Sequence, residues 1–468
     1  MDGLECSEIN RSELERTLRI DSEFYSKSAI KVSDMLQSRS HDLLTTFVNV
    51  SDGNHMGISD YFIDEGVPYY RGQDAGAFFI ENSNPICIDE KTFELPVMKR
   101  SHLKKGDVIL SIVGTIGSLS LVYSDKSATC SCKLAILRPK EGKNAELLAT
   151  FLRGKYGQAQ ITRFTRGAVQ KGLILEDMDQ LVVPVFGDGI VEAIRNAIQS
   201  AYQIQEKANN CYREAQRTLV NSVGSISVPA ESVSVRNIST SFYTTGRLDA
   251  EYYQPKYDAL FTALSTIKTK KLGGAHGIVN IEKSIEPGSE VYVEDGIPFV
   301  RVSDVSKFEI SEPEVKLRND ILPNPEVLFP QKDTILLSKD GSVGIAYKTE
   351  STMPVITSGA LLHLTVRNKA EVLPDYLTLV LNSPIVQLQA ERDSNGAIIQ
   401  HWKPSEIENV IIPILDMDIQ KEIATKVQES FALRKQSKQL LEYAKQAVEM
   451  AIEQGEDVAM EWLKDKVN

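Results

Sequence analysis

Two kinds of apolar pattern alternate along this chain, and the alternation runs through twice. Short runs rich in Val, Ile and Leu come first: GDVILSIVG and LAILRP, then later DTILLSKDG and ALLHLTV, each bounded by Gly, Asp or Pro. Such runs predict strands, and Asp52-Gly53, Glu65-Gly66, Asp295-Gly296 and Asp340-Gly341 supply turns between them. Residues 145–161 and 375–390 carry apolar positions three and four apart, predicting helices among the strands. After Pro184 and again after Pro413 the pattern changes to one long amphipathic stripe. Ile190, Ile194, Ile198, Tyr202, Tyr212, Ala215 and Leu219 form the first, and Ile419, Ile423, Val427, Phe431, Leu441, Ala444, Val448 and Ile452 the second. About 30 helical residues make a rod of roughly 45 Å. Two equivalent rods, each with one apolar face, predict a mutual antiparallel pairing about a pseudo-twofold axis.

The doubling extends to the residues themselves. RIDSEFY (Arg19 to Tyr25) returns as RLDAEYY (Arg247 to Tyr253), and EGVPYYRGQD (Glu65 to Asp74) as DGIPFVRVSD (Asp295 to Asp304). GDVILSIVGTIG from Gly106 returns as KDTILLSKDGSVG from Lys332, one residue longer, which sets Asp107 beside Asp333 as shared turn residues. RGAVQKGLILEDMDQLVVPV from Arg166 returns as NGAIIQHWKPSEIENVIIPI from Asn395. Four blocks in one order at nearly constant offset make one unit written twice, and the period is too long for a solenoid. The aromatic pairs Phe24-Tyr25 and Tyr252-Tyr253, at the entrance to each copy, are expected to pack rather than to stack on bases.

Composition narrows the class. With 468 residues, 42% hydrophobic and 25% charged, the chain has room for two or three ordinary globular cores. No run is long and apolar enough to cross a bilayer and the first residues are polar and acidic, so a cytoplasmic protein is expected, with no membrane association. Five cysteines are too few for a disulfide framework, and Cys130 and Cys132 have no second pair to complete a metal site. A net charge of −12 argues mildly against a large nucleic-acid surface, unless acidic residues are segregated or a partner supplies positive surface.

Catalytic signatures are missing: no phosphate loop, dinucleotide fingerprint, HExxH, CxxC or GxSxG occurs, and the six histidines do not recur between copies. Neither a cofactor nor a metal is therefore expected, and binding is the better reading than catalysis. Attention falls on loops that are homologous in position but different in chemistry. Gly114, Thr115 and Gly117 in the first copy answer to Gly341 and Ser342 in the second, with glycines that permit a tight turn and close approach of a sugar-phosphate backbone; a plain β-turn is the alternative. Arg163, Arg166, Gln170 and Lys171 answer to Arg392, Asn395, Gln400, His401 and Lys403, residue types that read base edges or hold phosphates. Arg71 and Gln73, with Arg301, Ser303 and Lys339, complete the candidate DNA-binding set. A merely solvated surface is the competing reading.

The GTIG and GSVG blocks, the GA loop followed by an acidic-apolar helix start and VVP or IIP, and the helix opening DMDIQKEI at Asp416 to Ile423 together resemble the specificity subunit of type I restriction-modification systems. The likeness runs over almost the whole chain. It implies an α+β architecture of two tandem mixed α/β target recognition domains joined by two long helices in an antiparallel coiled coil. The corresponding boundaries are 1–185 and 245–414 for the recognition domains, 186–225 and 415–454 for the helices, 226–244 for a connector and 455–468 for a short terminal helix.

It further implies double-stranded DNA as ligand, read as a split site. Two adenine methyltransferase subunits would be partners and hold S-adenosylmethionine, and a restriction/translocase subunit can join. On this resemblance Ile194, Ile198, Gln420, Ile423 and Val427 are the expected partner contacts, and Val191 departs from the pattern where Gln420 keeps it. Heads about 45 Å apart would be centred roughly 13 base pairs from each other on B-DNA. The competing class is a two-headed scaffold of another defence assembly that bridges proteins without reading bases; a nuclease with an unrecognised site is a third.

Overall fold

The computed structural model describes residues 7–15, 18–82, 85–167, 171–224, 233–396 and 399–467. The chain divides into two compact units, Met1–Gln205 with Lys435–Asn468, and Glu206–Arg434.

The first unit is built on α1 (Lys27–Gln37), β1 (His41–Leu43), β2 (Val48–Asp52), β3 (Phe62–Ile63), β4 (Val67–Tyr70), β5 (Ile86–Ile88), β6 (Val108–Ser111), β7 (Leu119–Leu121), β8 (Thr129–Cys130), β9 (Leu134–Pro139), α2 (Ala145–Arg153), α3 (Lys155–Phe164) and β10 (Val182–Pro184). They are followed by the long helix α4 (Asp188–Val223). Its strands form one antiparallel sheet in the order β2-β9-β6-β7, a second in the order β3-β5-β4-β8, and the pair β1-β10. The apolar runs recognised in the sequence are the buried central strands: Val108, Ile109, Leu110 and Leu134 to Leu137 are fully enclosed.

The second unit repeats this plan with β11 (Thr269–Lys271), β12 (Val279–Lys283), β13 (Tyr292–Val293), β14 (Ile297–Val300), β15 (Lys316–Leu317), β16 (Ile335–Ser338), β17 (Ala346–Lys348), β18 (Ile356–Thr357), β19 (Leu361–Val366) and β20 (Ile411–Pro413). The sheet orders are β12-β19-β16-β17, β13-β15-β14-β18 and β11-β20, strand for strand those of the first unit. Even the exception recurs, since β4 pairs β8 in parallel and β14 pairs β18 in parallel. The helices are α5 (Pro255–Ser265), α6 (Pro374–Leu381), α7 (Pro384–Asp393) and the long α8 (Met417–Gln454), with α9 (Glu456–Val467) closing the chain in the first unit. A mixed helix and strand fold with an internal repeat is thus the observed architecture.

The two interior helical stretches each break once, where an unbroken helix is expected. Gly154 is extended (ψ 165°) and serves both as C-cap of α2 and N-cap of α3. In the second copy Pro384 opens α7, because proline lacks the N–H that would continue α6. A Cβ on Gly157 would lie 2.4 Å from the Phe151 carbonyl oxygen, so only glycine allows the two helices this close.

Inside the first unit, Ile190, Ile194, Ala197, Ile198 and Ala201 of α4 share a core with Leu440, Ala444, Ala447, Val448, Ala451 and Ile452 of α8. Inside the second, Tyr212, Ala215, Leu219 and Val223 share one with Ile423 and Val427. Alanines let the helices approach until a serine of one bonds the backbone of the other. Ser437 donates to the Ala201 carbonyl in the first unit, and Ser430 to that of Ala208 in the second, both at 2.8 Å or less. In the second unit the cross-helix pairs Ala208 with Ser430, Glu214 with Lys426 and Thr218 with Glu422 descend on α8 as they rise on α4, so the pairing is antiparallel. Helix α9 buries Ala459 and Leu463 in the first unit's core, and its Glu456 carboxylate accepts the Gly187 N–H at 2.8 Å, just before α4 starts.

Two glutamines at matching repeat positions hold β10 and β20. Gln160 takes both the N–H and the carbonyl of Val182, each at 3.0 Å, and Gln389 does the same to Ile411 at 2.8 and 2.9 Å. Gln389 is 1% exposed, so truncation leaves two part-buried backbone groups without their partner. Gln389→Ala is expected to cost about 2–3 kcal/mol in urea unfolding; a loss under about 0.5 kcal/mol would contradict the clamp.

Burial lowers the His363 imidazole to about 4. The folded state keeps it neutral while the unfolded chain protonates near pH 6.5, so this residue withdraws stability as pH falls from 6.5 towards 4. Relative to His363→Gln, the native chain should lose up to roughly 3 kcal/mol more stability over that window. Parallel pH profiles of the two proteins would refute the assignment.

Candidate nucleic-acid interface

The blocks singled out in the sequence meet at one end of the central sheet in each unit. In the first, β6 runs into the Gly114 to Gly117 turn, and the hairpin from Arg166 to Gly172 closes on itself through two backbone bonds of 2.8 Å. That hairpin is then laid along the end of β6 by Leu173 N–H donating to Ile112 at 2.9 Å. In the second unit Asn395 and His401 close the equivalent hairpin at 3.0 and 2.7 Å, and Trp402 N–H donates to Lys339 at 2.7 Å. Gly341 N–H adds a bond to Gln400 at 2.9 Å. The same backbone junction is therefore made twice from different side chains.

The turns themselves need glycine. Gly114, Gly117, Gly341 and Gly344 have φ of 83°, 86°, 74° and 87°. Behind each turn a glutamine carboxamide bonds the last glycine's carbonyl: Gln158 to Gly117 at 3.0 Å and Gln387 to Gly344 at 2.8 Å. These glutamines were not among the expected site residues, although their matching places in the repeat were a signal. Thr115 donates to the Gly72 carbonyl at 2.9 Å, which brings the Arg71 to Asp74 turn to the same junction.

The register of the repeat is corrected by the backbone. Gly106 donates to Val122 and Asp333 to Thr349, and both take positive φ, 89° and 66°. Gly106 and Asp333 are therefore equivalent, Thr334 answers to Asp107, and the extra residue of the second copy precedes the strand. Asp107 and Asp333 are not a shared pair.

The candidate side chains fall into distinct groups. Gln73, Ser303, Gln400, His401 and Lys403 are exposed, as are Gly114, Thr115, Gly341 and Ser342. Lys171 is exposed beside Glu23 at 3.5 Å. Gln170 lies outside the described residues. Asp74 and Asp304 accept the backbone N–H of Arg71 and Arg301 at 2.8 and 2.7 Å, and the arginine Nε atoms lie 3.3 and 3.8 Å from the same carboxylates. Arg166 is paired with buried Asp177 at 2.6 Å.

In the second unit Lys339 and His401 both hold Asp340, the latter at 2.8 Å. Burial alone would raise the Asp340 carboxyl, but those two hydrogen bonds outweigh it and hold it below the usual range.

Arg163 and Arg392 do not join the junction. Arg163 lies 4.3 Å from the Phe24 ring centroid and donates to the Phe24 carbonyl at 3.0 Å, with Arg19 at 4.4 Å from the same ring. Arg392 lies 5.0 Å from Tyr252 and 4.4 Å from Phe261, with Arg247 at 4.4 Å from Tyr252. The twice-written entrance motif thus places one aromatic ring against two guanidinium groups in each unit, a packing role favoured by the ring's negative face.

The five expected partner contacts are also interior. Ile194, Ile198 and Ile423 are 0% exposed and Val427 3%. Gln420, 1% exposed, accepts from Leu373 N–H and donates to the Glu371 and Leu415 carbonyls, all at 2.9–3.0 Å. A periodic apolar stripe marks what a helix buries in its own unit, so any partner face on these helices must be the opposite one.

Among the described residues no cluster of His, Cys, Asp or Glu could hold a metal ion, and no helix is long and apolar enough to cross a membrane. Residues 265–443 match the sequence family described as Type I restriction modification DNA specificity domain. This part of the chain is similar to a type I restriction-modification specificity domain. The matched stretch holds the second unit's central sheet, its glycine turn and its hairpin.

Among solved structures, the S subunit of a type I restriction-modification system from M. genitalium aligns at 14% identity and a TM-score of 0.37, covering 91% of this chain and 95% of that one. The HsdS subunit from Thermoanaerobacter tengcongensis aligns at 14% identity and a TM-score of 0.28, covering 91% and 95%. A structure described as the basis of complex assembly and conformational transition of the type I R-M system gives 14%, 0.28, 91% and 96%. A search of curated proteins found no match.

The second unit's glycine turn gives a direct test of its geometry. At Gly341 a Cβ meets nothing within 4 Å, whereas at Gly344 it would lie 2.9 Å from the Gln387 amide. Gly341→Ala should cost about 1 kcal/mol for the left-handed backbone alone, and Gly344→Ala about 2 kcal/mol or more. Equal losses on chemical denaturation would contradict the packed glutamine.

Proposed function

We propose that this chain is the DNA sequence-specificity subunit of a type I restriction-modification complex, each unit reading one half of a split site. The observation that supports this most is the junction of glycine turn and hairpin, made twice with matching backbone bonds and unlike exposed side chains. A rigid backbone frame with interchangeable loops is what direct readout needs, because phosphate contacts position a protein while side chains on base edges specify the sequence.

In this reading Gln73, Gly114, Thr115 and Lys171 serve the first half-site, with Gly117, buried against Gln158, shaping the turn, and Ser303, Gly341, Ser342, Gln400, His401 and Lys403 serve the second. Arg71, Arg301, Arg166 and Lys339 hold loop shape from behind. Glycines let the sugar-phosphate backbone come close, and amide, hydroxyl, imidazole and ammonium groups supply donors and acceptors to the groove. The chain contributes address, and methyl transfer to adenine belongs to two recruited methyltransferase subunits, with a restriction/translocase subunit able to join. Those partners would meet the outward faces of α4 and α8.

The test is methylation by the reconstituted complex. Replacing residues 19–185 by the same part of a homologue should change one half of the methylated sequence and leave the other intact. Lengthening the spacer between the half-sites by several base pairs should lower methylation at least a hundredfold. Retention of both half-sites after the exchange, or indifference to spacer length, would sink the reading.

A further inference from the structure

The first unit has a second concave site, at the opposite end of β6 from the glycine turn. It is a cleft of about 460 Å³ lined by Lys104, Lys105, Arg138, Lys140, Lys143 and Arg195 around the start of α2. In a chain of net charge −12, six cations stand here against two lining carboxylates, with Asp42, Asp125 and Glu192 close by. Two carboxylates share the lining, and both are engaged: Asp107 is held by Arg138 at 2.6 Å, and Glu146 bonds the Tyr123 hydroxyl. Lys143 meets Asp42 at 2.8 Å, Arg195 meets Glu192 at 2.6 Å and Lys105 lies 3.8 Å from Asp125. Lys140 donates to the Thr45 carbonyl and the Lys104 backbone N–H donates to Asp107 at 2.7 Å, while among the described residues neither lysine's ammonium makes an ion pair.

Asn144 is the independent observation. It caps α2 by accepting the Leu147 N–H at 2.6 Å, and the residue is 7% exposed. Its Nδ2 has no hydrogen-bond partner, which is costly for a buried amide. A helix N-terminus, a buried donor and converging ammonium groups together offer what a tetrahedral oxyanion requires.

The repeat supplies an internal contrast. In the second unit Leu373 stands at the matching N-cap, and the buried Lys348 bridges Asp333 at 3.6 Å and Asp375 at 3.3 Å. One copy has filled the place with an ion pair where the other keeps it open.

We propose that the first unit's cleft binds a phosphate group, carried either by a free nucleotide-like anion or by the DNA backbone beyond the bases being read. The Asn144 amide and the α2 backbone would donate to it, and Lys104 and Lys140 would neutralise it. The inference does not depend on which bases the loops read.

The decisive experiment titrates the full chain with inorganic pyrophosphate by calorimetry, comparing the native protein with Asn144→Asp and with the Lys104→Ala/Lys140→Ala pair. Asn144→Asp retains the oxygen that caps α2 but replaces the donor with negative charge, so its melting temperature reports whether the fold is intact. Saturable one-to-one binding, weakened at least tenfold in both variants with melting unchanged, is expected. A parallel titration with duplex DNA separates the sources: a lower slope of log affinity against log salt in the lysine variant assigns the phosphate to DNA, and an unchanged slope assigns it to a free anion. Absence of saturable pyrophosphate binding, or equal binding by Asn144→Asp, overturns the proposal.

Discussion

Each long helix has an apolar stripe too long for one small domain to cover, and the way that stripe is shared governs the rest of the structure. The first half of α4 and the last half of α8 complete one core, and the remaining halves complete the other. The sequence repeat and the structural unit are therefore different objects. A head written in the first copy is finished by a helix end written in the second, so neither copy can bury its apolar surface from its own residues alone. Ser430 and Ser437 lock this exchange: their hydroxyls are enclosed and bond carbonyls on the other helix, so sliding the seam by one turn would leave them unpaired.

With the cores fixed in this way, the loops at the end of the central sheet can vary without changing the frame. The hairpins at Arg166 and Asn395 are positioned by backbone bonds, which any side chain tolerates, and the glycine turns beside them are held by half-buried glutamines at equal places in the repeat. Behind the two hairpins the charged side chains have diverged. Arg166 with Asp177 supports one, and Lys339, Asp340 and His401 support the other. On the proposed reading this is how a duplicated unit comes to recognise two unlike half-sites.

Much of this was legible in the sequence because the repeat acts as its own alignment. Strand runs, turn glycines and both long helices follow from periodicity and from matched blocks. What the sequence concealed has identifiable causes. An apolar stripe on a rod looks the same whether it meets its own core or a partner, so Ile194, Ile198, Ile423 and Val427 were expected at an interface. Arginine next to a variable loop looks like a phosphate ligand, but Arg163 and Arg392 are drawn inward by aromatic rings over a hundred residues earlier in the chain, and that pairing appears only with the fold. The slip that set Asp107 against Asp333 arose because a one-residue insertion can be placed on either side of a strand until its hydrogen bonds are known. Gln420, legible as a pattern residue, proved to fasten a loop.

Charge is the remaining constraint on any DNA-binding reading. The exposed groups at both junctions are mainly neutral donors and acceptors, and of the arginines nearby Arg71 and Arg166 are paired with Asp74 and Asp177. Such a surface can discriminate bases but holds phosphates weakly, since nonspecific affinity comes from uncommitted lysine and arginine. If these loops read DNA, most of the grip must come from elsewhere: from a partner's positive surface, or from a segregated patch such as the cleft at the start of α2. A chain built this way would gain sequence discrimination from its own loops while depending on assembly for affinity, so that reading and methylation occur only in the complete complex.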